Sequence, residues 1–523
     1  MLVVSSRRAV RAHVSRRRLF AGIAATGVVP AALIVLALTF TGSPQAPKPE
    51  NYSPIPLPKT VGAAELRERE LDWSLDVKRS VADLTTPQVL VGPAGTLPTV
   101  ALTPRPEPYT LTELGDRFPS VVRRGGGTTT LAAGVFVPAG ATLDVAGERQ
   151  SEVRLSSDDR GFASIISRGG TVRLNGTDDQ PLRLLSWNEA AGAPDANLDD
   201  GRSFVLTIGG RMDLSGVTTE RLGFGTGTTS GVAWRGKPVS SQNAEVVPAQ
   251  GSVTDSVFRE NWFGAYTFEA VGMNWTGNEF VDNSAYGFDP HDASNDFIVE
   301  ENVAHGNGRH GFIFSRGCLR NVLRGNTSYG NAGHGFMIDD GRSVATANAE
   351  ASVLTSDYNV IEDNVAYGND GAGVLIEGGV GNLVSGNTLQ DNYVGIRVKD
   401  GAQARIEDNV VLDNLLYGVH VLDSARDVAI VGNEFDGSWG SIGLGRQDVA
   451  QVSANAYGQY SVPLTVSGYS RELNMSPLQK VQLTLRWNPV LLLWAVVLGI
   501  PLVLLLVKAP AHTAGWVRRR AHR

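Results

Sequence analysis

From about residue 125 the chain is written in short apolar runs broken by Gly, Asp and Asn, as in LAAGVFVPAGATLDV, ASIISRGGTVRL and FVLTIGGRMDLSGV. Apolar positions alternate over roughly four to eight residues, and no long segment has the helical period, so the pattern predicts successive strands. From Asn278 it becomes periodic. Asn278, Asn302 and Asn326 stand 24 residues apart, a 38-residue step carrying an insertion at about Gly341 to Asp357 leads to Asn364, and Asn387, Asn409 and Asn433 follow at intervals of 23, 22 and 24. Around each lies a form of N-x-x-x-x-N-x-x-x-G-apolar-x-apolar. A repeat of this length that encodes a few strands predicts a solenoid whose coils stack on one another. The expected architecture is all-β, a right-handed parallel β-helix. Its recurring Asn can form a ladder at a turn, each amide bonded to the coils above and below. A leucine-rich array needs Leu in its own pattern, and a propeller blade a longer period.

Two longer apolar runs flank this body. Leu19 to Thr41 is uncharged and follows Arg16-Arg17-Arg18; Val490 to Val507 is preceded by Trp487 and followed by Lys508 and Arg518 to Arg520. Both are long enough to cross a bilayer, and basic flanks at the two outer ends put both termini in the cytoplasm. The segment Ser-Arg-Arg-Arg-Leu-Phe resembles an export motif, but without a clean A-x-A site an uncleaved anchor is expected. The organisation expected is a cytoplasmic basic tail (1–18), a transmembrane signal anchor (19–41), an extracytoplasmic linker and N-terminal region (42–124), the catalytic β-helix (125–460), a cap and linker (461–489), a transmembrane helix (490–507) and a cytoplasmic basic tail (508–523). The linker is Pro-rich to about residue 70, with a short helix over 65–80. The β-helix is thus placed outside the cytoplasm, at the cell membrane.

Charge sharpens this picture. Of the 46 Lys and Arg, six lie in residues 1–18 and five in 508–523, so the remainder holds 35 bases against 53 acids. Such a body argues against nucleic acid as a partner, while a groove that concentrates its few cations can still bind a polyanion. The single cysteine, Cys318, excludes an intramolecular disulfide and reads as a small core residue.

Five of the eight histidines fall between 291 and 420, and three of them, His291, His310 and His334, sit in the phased segments YGFDPHD, HGFIFSR and HGFMIDD. The phase puts Gly287, Gly311 and Gly335 in one column and Phe288, Phe312 and Phe336 in the next. Tyr286, His310 and His334 then lie on adjacent coils about 4.8 Å apart, a titratable ladder. With the Phe column inward, Asp289 and His291 turn outward together. Ser315 and Asp339 fall over His291, and Arg316 and Asp340 over Asp292. Asp339 and Asp340 end a strand; a Ca²⁺ site there is kept as the alternative, and no other cofactor or metal is expected.

YGFDPHD followed one coil later by HGFIFSR resembles the mannuronan C5-epimerases of alginate biosynthesis, over roughly residues 200 to 440. Ser315 stands where the secreted branch of that family has an acid, so the Arg-containing periplasmic branch is the better likeness. The resemblance implies that His291 removes the C5 proton, Arg316 neutralises the substrate carboxylate, Asp289 helps position it, and Tyr286 acts as the opposing acid or orients water. His310, His334, Asp292 and Ser315 would line the substrate site. The chemistry agrees: a hydrogen alpha to a carboxylate becomes removable when a fixed guanidinium masks the anion, and inversion needs a donor on the opposite face. The expectation is a membrane-anchored epimerase acting on an acidic polysaccharide, with a synthase or export complex as a further partner. The alternatives are a polysaccharide lyase using the same intermediate, and a non-catalytic glycan-binding or export β-helix.

Overall fold

Asparagine stacking builds the turns as the repeat predicts. Asn278 Nδ2 donates to Asn302 Oδ1 at 2.8 Å, and the chain of amides continues through Asn326, Asn364, Asn387, Asn409, Asn433 and Asn455 at 2.9–3.0 Å. A second ladder, from the second Asn of the motif, runs from Asn283 through Asn307, Asn331, Asn369 and Asn392 to Asn414. A third joins Asn321, Asn359 and Asn382. Each buried amide therefore finds its partners in the neighbouring coils, which fixes the stacking register as well as satisfying the group.

The computed structural model describes residues 62–466, apart from 148–150, 178, 226, 241–242, 342–353, 446–447, 449, 459–460 and 462. The two expected spans, 19–41 and 490–507, and most of the insertion after Gly341 lie outside the described residues. Among the described residues no helix is long and apolar enough to cross a membrane. The chain winds through three long sheets of 15, 13 and 16 strands, whose neighbours along each stack are parallel except near the start. This is a parallel β-helix, and its coils begin upstream of residue 125, with Thr99–Ala101 already paired to Gly134–Pro138.

In the second and third sheets a three-residue strand buries only its middle residue, as in Ile298–Glu300, Val303–His305 and Val322–Arg324. That is the pattern of a sheet with one face in the core and one in water. The first sheet differs, because its outer face is also largely covered. Phe288, Phe312 and Phe336 pair in register inside the core, the last two rings stacking at 5.0 Å. Outside, Ile166, Phe204, Leu206, Phe224, Trp262, Phe263 and Tyr266 form a second apolar cluster, onto which Ala63, Leu66 and Leu71 of the helix Ala63–Val81 pack. The helix thus closes the outer face over the early coils.

The glycine column explains the Y/H-G-F signature. A Cβ at Gly287 would lie 2.5 Å from the Gly311 carbonyl oxygen, and one at Gly335 2.7 Å from that of Gly373. The coils approach too closely there for any side chain. Beyond the repeat, Leu464–Val466 pairs with Gly440–Leu444; most of the expected cap lies outside the described residues.

Candidate active site

The phased motif occupies three consecutive strands of the first sheet, Phe288–His291, Phe312–Ser315 and Phe336–Asp339. His291 pairs with Ser315 and Ser315 with Asp339, as the spacing requires. Phe288 faces the core, so Asp289 and His291 point to the other side. Asp292, Arg316 and Asp340 follow at the strand ends.

His291 Nδ1 lies 2.6 Å from Asp292 Oδ1, and Arg316 Nη1 lies 3.3 Å from Asp292 Oδ2. The His291–Asp292 contact is within hydrogen-bonding distance though off the ideal angle, and it acts on the imidazole both as a hydrogen bond and by charge. Burial works against an imidazolium here, but Asp292 and Asp289 outweigh it and raise the His291 pKa above the ordinary value, Arg316 opposing them. Arg316 sits at φ 56°, where the later coils place Gly378, Asp400 and Asp423. Left-handed backbone costs an L-residue such as Arg about 1 kcal/mol or more. The same conformation recurs at other coil turns, at Arg221 and Arg320 among them, and here it sets the arginine beside Asp292.

Asp289 is 1 % exposed, and its Oδ1 has no hydrogen-bond partner. Burial pushes its pKa up to about 7; His291 and Arg309 pull it down, and Asp339 and Asp292 add to the rise. Asp339 is likewise raised to about 6 by burial, against the pull of the Gly341 N–H on its Oδ1 at 2.9 Å. Two carboxyls that resist ionisation thus stand on the coils around His291.

Tyr286, His310 and His334 stack as the phase predicts, at ring separations of 5.4 and 4.8 Å. They do not titrate as a ladder near neutrality. His310 Nδ1 accepts from the His334 N–H at 2.9 Å, and His334 Nδ1 from the Ala372 N–H at 2.8 Å. These bonds fix the neutral Nε2–H tautomer, and burial lowers the His310 pKa to about 3 and that of His334 well below normal. Tyr286 keeps its proton, its pKa raised by burial and by Asp289, while its oxygen accepts from Arg309 Nη1 at 2.8 Å.

Several neighbours were not anticipated. Tyr266 pairs in register with Asp289, and its ring centroid lies 5.9 Å from that of His291; Phe268 pairs with His291 and stacks on it at 6.4 Å. Arg235 lies over the Phe268 ring, 4.5 Å from its centroid. The signal was the segment Asn261-Trp-Phe-Gly264-Ala-Tyr-Thr-Phe268, one coil before the motif, whose Gly264 precedes Gly287 by 23 residues. Arg309 stood beside His310 in the sequence, but nothing in the strand alternation aimed it at Tyr286. Among the described residues no group of three His, Cys, Asp or Glu side chains is placed to hold a metal ion.

Fold and site together define a parallel β-helix that presents an acid–base cluster, beside a fixed guanidinium, on the outer side of one sheet. Comparison with known proteins gives the relationship. A family described as "Right handed beta helix region" matches residues 229–351, and one described as "Periplasmic copper-binding protein (NosD)" matches 343–440. The mannuronan C5-epimerase AlgG of Azotobacter vinelandii is 33% identical over 187 residues, 35% of this chain and 34% of that protein; the Pseudomonas aeruginosa mannuronan C5-epimerase is 29% identical over 187 residues, 35% and 33%. That of Pseudomonas putida is 26% identical over 335 residues, 61% of this chain and 58% of that protein. The chain therefore aligns with about a third of the first two relatives. The crystal structure of the periplasmic alginate epimerase AlgG superposes with a TM-score of 0.61 over 69% of this chain and 86% of that one, at 22% identity, which establishes the shared fold. The chain is a right-handed parallel β-helix related to the mannuronan C5-epimerases, as the motif suggested.

Proposed function

We propose that this protein is a C5-epimerase of an acidic, mannuronate-type polysaccharide. The observation that carries the reading is the cluster in which Asp292 stands 2.6 Å from His291 and 3.3 Å from Arg316, beside the buried Asp289. In this reading the sugar carboxylate lies against Arg316, whose guanidinium stabilises the negative charge that develops when the C5–H bond breaks. Neutral His291 accepts that proton. A proton then returns to C5 from the opposite face, from the Tyr286 hydroxyl or from water that it orients, and the configuration inverts. Asp289, half-protonated near neutrality, positions the sugar, while Asp292, Ser315, His310 and His334 line the site. The neutral imidazoles of His310 and His334 offer N–H donors without adding charge. No step needs a metal.

The two apolar runs, 19–41 and 490–507, support a further part of the proposal: the β-helix is tethered to the membrane, acts outside the cytoplasm and stands beside the machinery that makes or exports its polymer. The full-length protein incubated with polymannuronate in D₂O tests the chemistry. Deuterium at C5 without chain cleavage is the expected result. An unsaturated uronate at new chain ends would identify a lyase, in which the same carbanion expels the O4 group. Binding that survives His291→Ala while wild type shows neither product would identify a glycan-binding module.

A further inference from the structure

The stack that begins at Tyr286 is neutral in its two imidazoles, and the charge beside it is carried by Arg309 instead. Arg309 precedes His310 on the coil after the motif, and the backbone there is tied to both sides of Tyr286. The Arg309 N–H donates to the Ala285 carbonyl at 2.8 Å, and the Gly287 N–H to the His310 carbonyl at 2.9 Å. From this anchor the side chain turns back over the tyrosine. Its guanidinium carbon stands 5.6 Å from the ring centroid, and Nη1 donates to the hydroxyl oxygen at 2.8 Å. The ring itself is wedged between Phe263 of the preceding coil, at 4.9 Å, and His310 of the next, at 5.4 Å. A hydroxyl whose oxygen accepts from a guanidinium keeps its own proton to give. Asp289 and Asp339 work with burial to hold that proton on the phenol, and Arg309 works the other way. His310 adds no charge, because its Nδ1 accepts from the His334 N–H while burial, helped by Arg309, keeps the ring neutral.

This arrangement decides between the two sources of the second proton. A buried phenol gives a proton to carbon only where the charge it acquires is met, since an unpaired phenolate in such a place is costly. A tyrosine that only orients water stays neutral throughout and has no use for a cation on its oxygen. Asp289 stands between Tyr286 and His291 along the chain and acts on both, so a sugar seated over it has the imidazole toward one face and the hydroxyl toward the other. We infer that Arg309 is a positioning residue, which aims the Tyr286 hydroxyl as the proton donor of the second face and stabilises the phenolate that the transfer leaves. In that step the Tyr286 O–H bond breaks, its electron pair stays on oxygen, and its proton forms the new C5–H bond. Water then returns a proton to the phenolate and takes from His291 the one it accepted, so the enzyme ends as it began. The inference rests on the proposed epimerisation and assigns it a donor.

The test uses the full-length protein with polymannuronate in D₂O and compares wild type with Arg309→Met, Arg309→Lys, Tyr286→Phe and the double variant Tyr286→Phe with Arg309→Met. Without an effective donor the intermediate takes its hydrogen back from His291 on the original face, so exchange outlives inversion. Arg309→Met should therefore lower inversion about tenfold, the usual worth of a hydrogen bond to a charged group, with KM little changed. The ratio of deuterium in unconverted mannuronate to deuterium in inverted product should rise by a similar factor, and Arg309→Lys should recover part of the loss. Adding Arg309→Met to Tyr286→Phe should cost nothing further, since the group it serves is gone. A double variant that loses the product of both single effects, a raised KM with kcat held, or an equal fall in inversion and exchange would each overturn the assignment and leave the epimerase reading intact. A wild type that neither exchanges nor inverts C5 would overturn both. The contact itself is read without substrate, by NMR of protein carrying isotopically labelled tyrosine. The Tyr286 resonance, identified by its loss in Tyr286→Phe, should begin to titrate at higher pH in Arg309→Met than in wild type, because the cation that favours the phenolate is removed. Titration at the same pH in the two proteins would overturn the assignment.

Discussion

The turns of the β-helix and the outer face of its first sheet are both columns of polar side chains stacked coil upon coil, yet they are finished differently. In the turns, Asn302 accepts from the Asn278 N–H and Nδ2, and donates to Asn326 Oδ1 and the Trp275 carbonyl, all within 2.9 Å. On the outer face, Asp289 Oδ1, His291 Nδ1, Asp292 Oδ1 and Arg397 Nε are buried without an aligned partner. A stacked polar column that satisfies itself is structural. One that leaves several buried atoms of a single coil wanting, as Asp289, His291 and Asp292 do, is a column that a ligand could complete.

The contrast is broken most sharply by truncating one member of each column. His291→Ala should lower C5 exchange by about a thousandfold, the scale of a lost general base, with a much smaller loss of stability than a ladder Asn gives, and that loss should be confined to pH below the raised His291 pKa, where the Asp292 contact is charged. Unchanged exchange would remove His291 from the mechanism. Asn302→Ala should do the reverse. It orphans the amide groups of Asn278 and the Trp275 carbonyl and should cost about 3 kcal/mol of stability, while the folded fraction retains wild-type turnover. Denaturant unfolding and active-site-normalised rates would separate the two.

Much of this contrast is legible in the sequence, and where it is not the reason is physical. The 24-residue phase placed Ser315 and Asp339 over His291 because a strand period of two and a fixed coil length leave one register. The same phase could not tell that the Tyr286–His310–His334 stack is neutral. Stacking puts each imidazole Nδ1 against the backbone N–H of the next coil, and only the burial that follows decides the protonation state. Arg309 and Tyr266 escaped for a different reason: one reaches the site by its side-chain length, and the other lies on a coil whose first ladder position is Ser256 rather than Asn, its Oγ accepting from the Val217 N–H.

Asp289 links the two columns, because its burial should be felt in stability as well as in rate. In the folded protein its pKa is about 7, against about 3.8 for an ordinary aspartate. Between those values the folded state holds a proton that the unfolded chain has released, so stability falls as pH rises through this window and levels off above it. Asp289→Asn should therefore be more stable than wild type at pH 8, by at most about 4 kcal/mol and by less once the attraction of His291 is lost, and equal to it near pH 3. C5 exchange should fall in the same variant. A variant destabilised at pH 8 would mean that the carboxylate is held by partners and belongs with the satisfied column.

The smallest effect is the most specific. Asp292 and Asp289 raise the His291 pKa, and the reaction needs the imidazole neutral, so kcat/KM should rise with pH through that raised value. Asp292→Asn removes one of the two charges and should move the acidic limb to lower pH by a fraction of a unit, leaving a larger share of His291 neutral on the acid side. Because Asp292 also contacts Arg316 at 3.3 Å, KM will shift in the same variant, and only the position of the limb reports on the imidazole. A limb that stays in place would mean that another group titrates there. Asp339, whose pKa of about 6 lies within the same range, would be that group, and Asp339→Asn would then move the limb that Asp292→Asn did not.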